Sequence, residues 1–158
     1  MIDLRDLYQD IILDHGQKPR NFHPLEHPTH TAQGHNPLCG DRVTVYVEVE
    51  DDRIRDVAFQ GKGCAISTAS ASLMTEVLKG KTLAEAKTLF DAFHATVTGK
   101  GDGILEVPEA LEDDFERLTP LAGVKTYPAR VKCATLSWHA VEAALKHGIG
   151  EAGPVKTE

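Results

Sequence analysis

The sequence predicts an α+β domain, a small antiparallel sheet of about three strands with helices packed on one face. Three observations predict it. Val43, Val45, Val47 and Val49 alternate with Thr44, Tyr46 and Glu48, the period-2 signature of a half-buried strand. After "QGKGC" the apolar period changes to that of a helix, with Ile66, Ala69, Ser70, Leu73, Met74, Val77 and Leu78 on one stripe. A last long helix opens at Pro128 and carries Val131, Ala134, Trp138, Val141 and Leu145 on its apolar side.

The other elements follow in order. Leu4, Leu7, Tyr8, Ile11 and Ile12 recur at helical spacing, with Asp3 placed to cap the first helix and Gly16 to end it. The segment from Gly16 to Pro28 holds Pro19, Pro24 and Pro28 and no sustained period, so it reads as an ordered surface loop. A weaker strand is expected around Thr29 to His35. Asp51 and Asp52 make the turn after the valine strand, and Ile54, Val57 and Phe59 form the returning strand. The second helix closes near Gly80, and a third begins at Thr82 with Leu83, Ala86, Leu89 and Phe93 facing inward. From Thr96 to about Tyr127 the chain is expected to be irregular, with one short helix in "PEALEDDFERL". Residues 1–148 are thus expected to form a single domain, and 149–158 a flexible tail.

A chain of 158 residues is long enough to bury a core without disulfides. The composition, 41% hydrophobic and 26% charged, is that of a globular protein. The net charge of −7 argues against nucleic acid as a partner, because a binder of phosphate backbones shows a basic stripe. No segment reaches the apolar length of a membrane span. The charged, amphipathic start "MIDLRDLYQD" lacks the form of a secretory leader, and the expected location is the cytoplasm. Three cysteines, an odd number, make a disulfide framework improbable there and direct attention to metal or thiol chemistry.

Cys39, Cys64 and Cys133 form no local knuckle, yet each stands at an element boundary or near a helix start, where chain ends can meet at one rim of a sheet. Cys64 follows Gly63 at the start of a helix, where the backbone dipole favours a thiolate. Free cysteines commonly act as small buried hydrophobes. On a helical projection, however, Cys64 and Cys133 fall off the apolar stripes of their helices. Three thiolates leave a tetrahedral ion one ligand short, and Asp41 can add an oxygen from the turn of Cys39, with Gly40 permitting the bend. A plain turn role for Asp41 remains open, and His35 is the histidine nearest in sequence to compete with it. "TGKGDG" lacks the ending and the preceding strand of a phosphate-binding loop. The acidic "LEDDFE" reads as a solvated helix face.

Together, "ILDH" with "KPRN", "NPLCGD", "GKGCAISTASAS" and "KCATLSW" resemble the U-type iron–sulfur assembly proteins, the IscU and NifU N-terminal family, over nearly the whole chain. Lys132 stands before Cys133 where the scaffold branch has histidine, and the stretch from Gly99 to Pro120 looks like an extra segment of the SufU-like branch. "YPARVK" is a poor counterpart of the scaffold's Leu-Pro-Pro-Val-Lys chaperone motif.

This resemblance implies a zinc site of Cys39, Asp41, Cys64 and Cys133. The implied activity is a zinc-dependent sulfurtransferase that accepts persulfide sulfur from a pyridoxal-phosphate cysteine desulfurase of the SufS type and passes it to downstream iron–sulfur assembly components. The alternative is a scaffold whose ligands hold iron as a transient [2Fe–2S] cluster. Cys39, on a glycine-flanked loop, is the expected sulfur acceptor. Arg130, one turn before Cys133, is a candidate contact for the site or the partner.

Overall fold

The computed structural model describes residues 4–37, 40–98, 108–126, 128–147 and 155–156. The first helix, α1, is Leu4–Gln17, one residue beyond the expected stop at Gly16. After the proline-bearing loop come β1 (His30–Asn36), β2 (Asp41–Glu50) and β3 (Arg53–Lys62), paired antiparallel in that order. The weaker strand expected near Thr29 is therefore the first strand of the meander. Asp51 and Asp52 both take positive φ, 54° and 61°. That is the turn whose twist matches a two-residue hairpin. Glu48 faces Asp56 while Val49 faces Ile54, so Arg55 is the extra residue of a bulge near the turn.

Valine alternation sets which face of the sheet is covered. Val43, Val45 and Val47 are buried together with Ala32, Val57 and Phe59. The helices α2 (Ala65–Leu78), α3 (Leu83–Thr98), α4 (Glu112–Glu116) and α5 (Pro128–His147) complete the fold, with α5 packed on β1 and β2 and α2 lying between α1 and α5. Gly34 of β1 allows Leu136 of α5 to come so close that a Cβ there would sit 3.0 Å from its Cδ1.

Four expectations change. The third helix continues through Thr98, because Val97 is fully buried and the hydroxyls of Thr96 and Thr98 bond the carbonyls one turn back. The acidic stretch forms a 3-10 turn at Glu109–Leu111 followed by α4, and a second 3-10 segment, Thr119–Thr126, buries Leu121 and Val124. "TGKGDG" lies almost wholly outside the described residues. The expected tail contributes Val155–Lys156 as β4, parallel to Gly34–His35, which extends the sheet to the order β3-β2-β1-β4.

The fourth change concerns the apolar stripes. In α5 the run Cys133–Trp138 is buried on every side, and in α2 nearly every residue from Ser67 to Leu78 is buried. With the sheet, α2 and α3 all against α5, a single stripe does not describe it. Trp138 Nε1 donates to Ser70 Oγ at 3.2 Å and that hydroxyl donates to the Ala134 carbonyl at 2.5 Å, whereas the buried Ser137 Oγ has no hydrogen-bond partner among the described residues. Among the described residues, no helix is long and apolar enough to cross a membrane.

Candidate metal centre

Three chain segments meet at one end of the sheet. Asp41 is the first residue of β2, Cys64 is the N-cap of α2 immediately after β3, and Cys133 lies in the second turn of α5. One ligand atom from each lies within 4.8 Å of the other two. Asp41 and Cys133 are 1% and 0% exposed, while Cys64 is half-buried, so the cluster opens on the Cys64 side.

Local chemistry explains each position. Asp41 stands directly opposite Asn36 in the β1–β2 ladder, and both side chains turn to the covered face. The backbone N–H of Cys64 donates to Asp41 Oδ1 at 3.0 Å, which fixes the carboxylate. Its other oxygen, Oδ2, lies 3.9 Å from Cys64 Sγ. A tetrahedral zinc site with bonds of about 2.3 Å to sulfur and about 2.0 Å to oxygen has a sulfur–oxygen edge of about 3.5 Å, so a small closing movement brings this pair to the spacing of two ligands on one ion. Two sulfurs and a carboxylate oxygen, largely withdrawn from water, suit zinc.

Cys64 is held from its other side by Ser67, whose backbone N–H points to Sγ at 3.4 Å. This cap places the sulfur at the positive end of α2, where negative charge is favoured. Arg130 is exposed at the start of α5, and its pKa is raised, first by hydrogen bonding to Cys133 and then by the charge of Cys64. It is the described cation turned towards both sulfurs.

Cys39 lies outside the described residues. The chain on either side is closed by a hydrogen bond from Gly40 N to the Asn36 carbonyl at 2.8 Å, with Gly40 at φ +73°. The expectation that Cys64 and Cys133 avoid core positions is corrected in part: Cys133 is fully buried, in a helix buried all round, and what sets it apart is its neighbours. His35 is removed as a competitor, because it lies between inward-facing Gly34 and Asn36 and so points to the opposite face of the sheet.

Two residues of the site were given no role in it from the sequence. Asn36 is fully buried and directs Nδ2 at Cys133 Sγ across 3.7 Å. Gly63 leaves room for the carboxylate: a Cβ there would lie 2.9 Å from Asp41 Oδ1. The first residue of "NPLCGD" and the glycine before Cys64 were the available signals.

The NifU-like N-terminal domain family matches residues 7–134. This chain belongs to that family. Among family relatives, an iron–sulfur cluster assembly scaffold protein IscU of Streptococcus pyogenes serotype M1 is 40% identical over 143 residues, 90% of this chain and 85% of that protein. The zinc-dependent sulfurtransferase SufU of Bacillus subtilis strain 168 is 39% identical over 143 residues, covering 90% and 92%. A crystal structure from Fervidobacterium islandicum AW-1, named for iron–sulfur cluster assembly scaffolding in the SUF system, superposes with a TM-score of 0.78 at 34% identity, covering 90% of this chain and 99% of that one. The fold is that of the IscU and SufU proteins, and the family is one of iron–sulfur cluster assembly.

Proposed function

We propose that this protein is a zinc-dependent sulfurtransferase of iron–sulfur cluster assembly, which takes persulfide sulfur from a pyridoxal-phosphate cysteine desulfurase of the SufS type and hands it to downstream assembly components. The observation that carries the reading is the convergence of Asp41, Cys64 and Cys133 within 4.8 Å; Cys39, two residues before Asp41 in sequence, is the proposed fourth ligand. The residue before Cys133 is Lys132, which is not a zinc ligand at neutral pH, so the oxygen of Asp41 is proposed to complete the set.

Bound zinc would keep the cysteines as thiolates and shield them from stray oxidation. Cys39 is the proposed acceptor, because Cys64 is tied into a helix cap and Cys133 is sealed in α5, whereas Cys39 follows a strand end and precedes glycine. Its thiolate attacks the outer sulfur of the donor's persulfide. The sulfur–sulfur bond breaks, the donor cysteine leaves as a thiolate, and Cys39 ends as a persulfide with no net oxidation. Arg130 would offset the negative charge gathered at the mouth. The reaction would take place in the cytoplasm.

Desulfurase turnover measured with and without the protein tests this. Acceleration by the native chain, lost in folded, zinc-bearing Cys39→Ser, is the expected result. Normal sulfur uptake by Cys39→Ser, with loss in Cys64→Ser, would overturn the acceptor assignment.

A second reading has support in the IscU names among the relatives: the same ligands could hold a transient [2Fe–2S] cluster. Visible absorbance and iron with sulfide in protein purified without air would favour it over zinc.

A further inference from the structure

The uncovered face of the sheet carries an uneven charge. Arg42 lies between buried Asp41 and Val43, so its side chain points away from the core, and it is exposed. The ladders place it directly opposite His35 of β1 on one side and exposed Lys62 of β3 on the other. Three basic residues thus stand abreast at the end of the sheet that bears the candidate ligands: Arg42 follows Asp41, and Lys62 comes two residues before Cys64.

Side chains directly opposite on neighbouring strands are about 4.5–5.5 Å apart, and like charges so placed repel. None of the ion pairs among the described residues involves Arg42 or Lys62. Next on this face come uncharged Gln33, Thr44 and Gln60. The carboxylates on this uncovered face gather at its far end, where Glu50 pairs with Arg55 and Asp56 with Lys79. In a chain of net charge −7, an unneutralised basic row beside the centre opposes the overall balance. Its repulsion would be relieved by negative charge brought from outside.

We propose that His35, Arg42 and Lys62 form the docking surface for an acidic patch on the protein that donates sulfur to the neighbouring centre. This rests on the sulfur-transfer reading. The row sits on the opposite face from Asp41, so a partner bound there reaches round the strand ends to the cysteine side while its patch stays clear of the ligands.

The test is calorimetric titration of the zinc-loaded protein with a purified pyridoxal-phosphate cysteine desulfurase at about 0.05 and 0.3 M salt, across which exposed charges become screened. The paired change Arg42→Glu with Lys62→Glu should weaken binding at least about tenfold at low salt and remove most of its salt dependence. Arg42→Gln with Lys62→Gln should fall between. Zinc content and melting curves verify that both variants are folded. Wild-type affinity and salt slope in the Glu pair would overturn the inference. So would displacement of the desulfurase by inorganic phosphate bound one-to-one at the row, which would make it a small-anion site. Salt-sensitive docking without any sulfur uptake would uphold the surface and reject the transfer reading. Sulfur uptake with docking indifferent to the row would do the reverse.

Discussion

Asp41 and Cys64, 23 positions apart, are joined by a hydrogen bond from the Cys64 backbone N–H to Asp41 Oδ1 at 3.0 Å. The bond ties the start of β2 to the start of α2 and orients the remaining carboxylate oxygen beside the Cys64 sulfur. Asp41 therefore serves the fold as well as the candidate metal. Asp41→Ala should lower the stability of the zinc-free protein by about 1.5–3 kcal/mol, the worth of a hydrogen bond to a charged group. Urea unfolding in the presence of a chelator measures this. An unchanged midpoint would mean that the carboxylate acts only on the metal.

Gly63→Ala should separate geometry from core stability. The new methyl would crowd Asp41 Oδ1 and the Ser67 side chain, so the carboxylate must shift away from Cys64. Competition with a chromophoric chelator should show weaker zinc binding, about tenfold or more by analogy with altered supports of metal ligands. Wild-type affinity would show that the carboxylate needs no such fixed position.

Ser70→Ala should do the opposite. It removes the acceptor of Trp138 Nε1–H in the buried contact between α2 and α5, at a cost of about 1–3 kcal/mol. Zinc content should stay at the wild-type level. Loss of zinc together with stability would tie the centre to the packing of this helix pair.

Stability should decline as pH falls below neutrality. His15 is buried with Nδ1 against Ser72 Oγ at 2.7 Å, and burial, aided by Arg20 and Arg117, lowers its pKa from the ordinary 6.5 despite Glu76 and Asp14. Burial and His94 likewise lower that of His139, against the pull of Glu142. The unfolded chain then binds protons more readily than the folded one. The contribution of both groups is complete above about pH 6.5 and is lost as pH falls towards their folded values. Unfolding midpoints from about pH 7.5 to 5.5 should fall, and His15→Gln with His139→Gln should flatten the slope. An equal slope in the double variant would assign the effect to other groups.

The sheet was the most legible part of the sequence, because a valine at every second position leaves one workable register for burial. Asp41, Cys64 and Cys133 were legible as candidates from residue type and from their place at element boundaries. The stripe argument for the cysteines was less secure: projection assumes a helix with one wet side, and α5 has none between Cys133 and Trp138. Asn36 and Gly63 act through contacts across the fold, with Cys133 and Asp41, and no local period records such partners. The same limit hid the basic row, since His35, Arg42 and Lys62 become neighbours only through strand pairing.

X-ray absorption at the zinc edge of the purified protein tests the central claim most directly, by counting the atoms around the ion. Three sulfurs at about 2.3 Å and one oxygen at about 2.0–2.2 Å are expected, with Asp41→Ala losing the oxygen and Cys133→Ser one sulfur. A first shell with imidazole nitrogen, or with fewer than three sulfurs in the native protein, would contradict it.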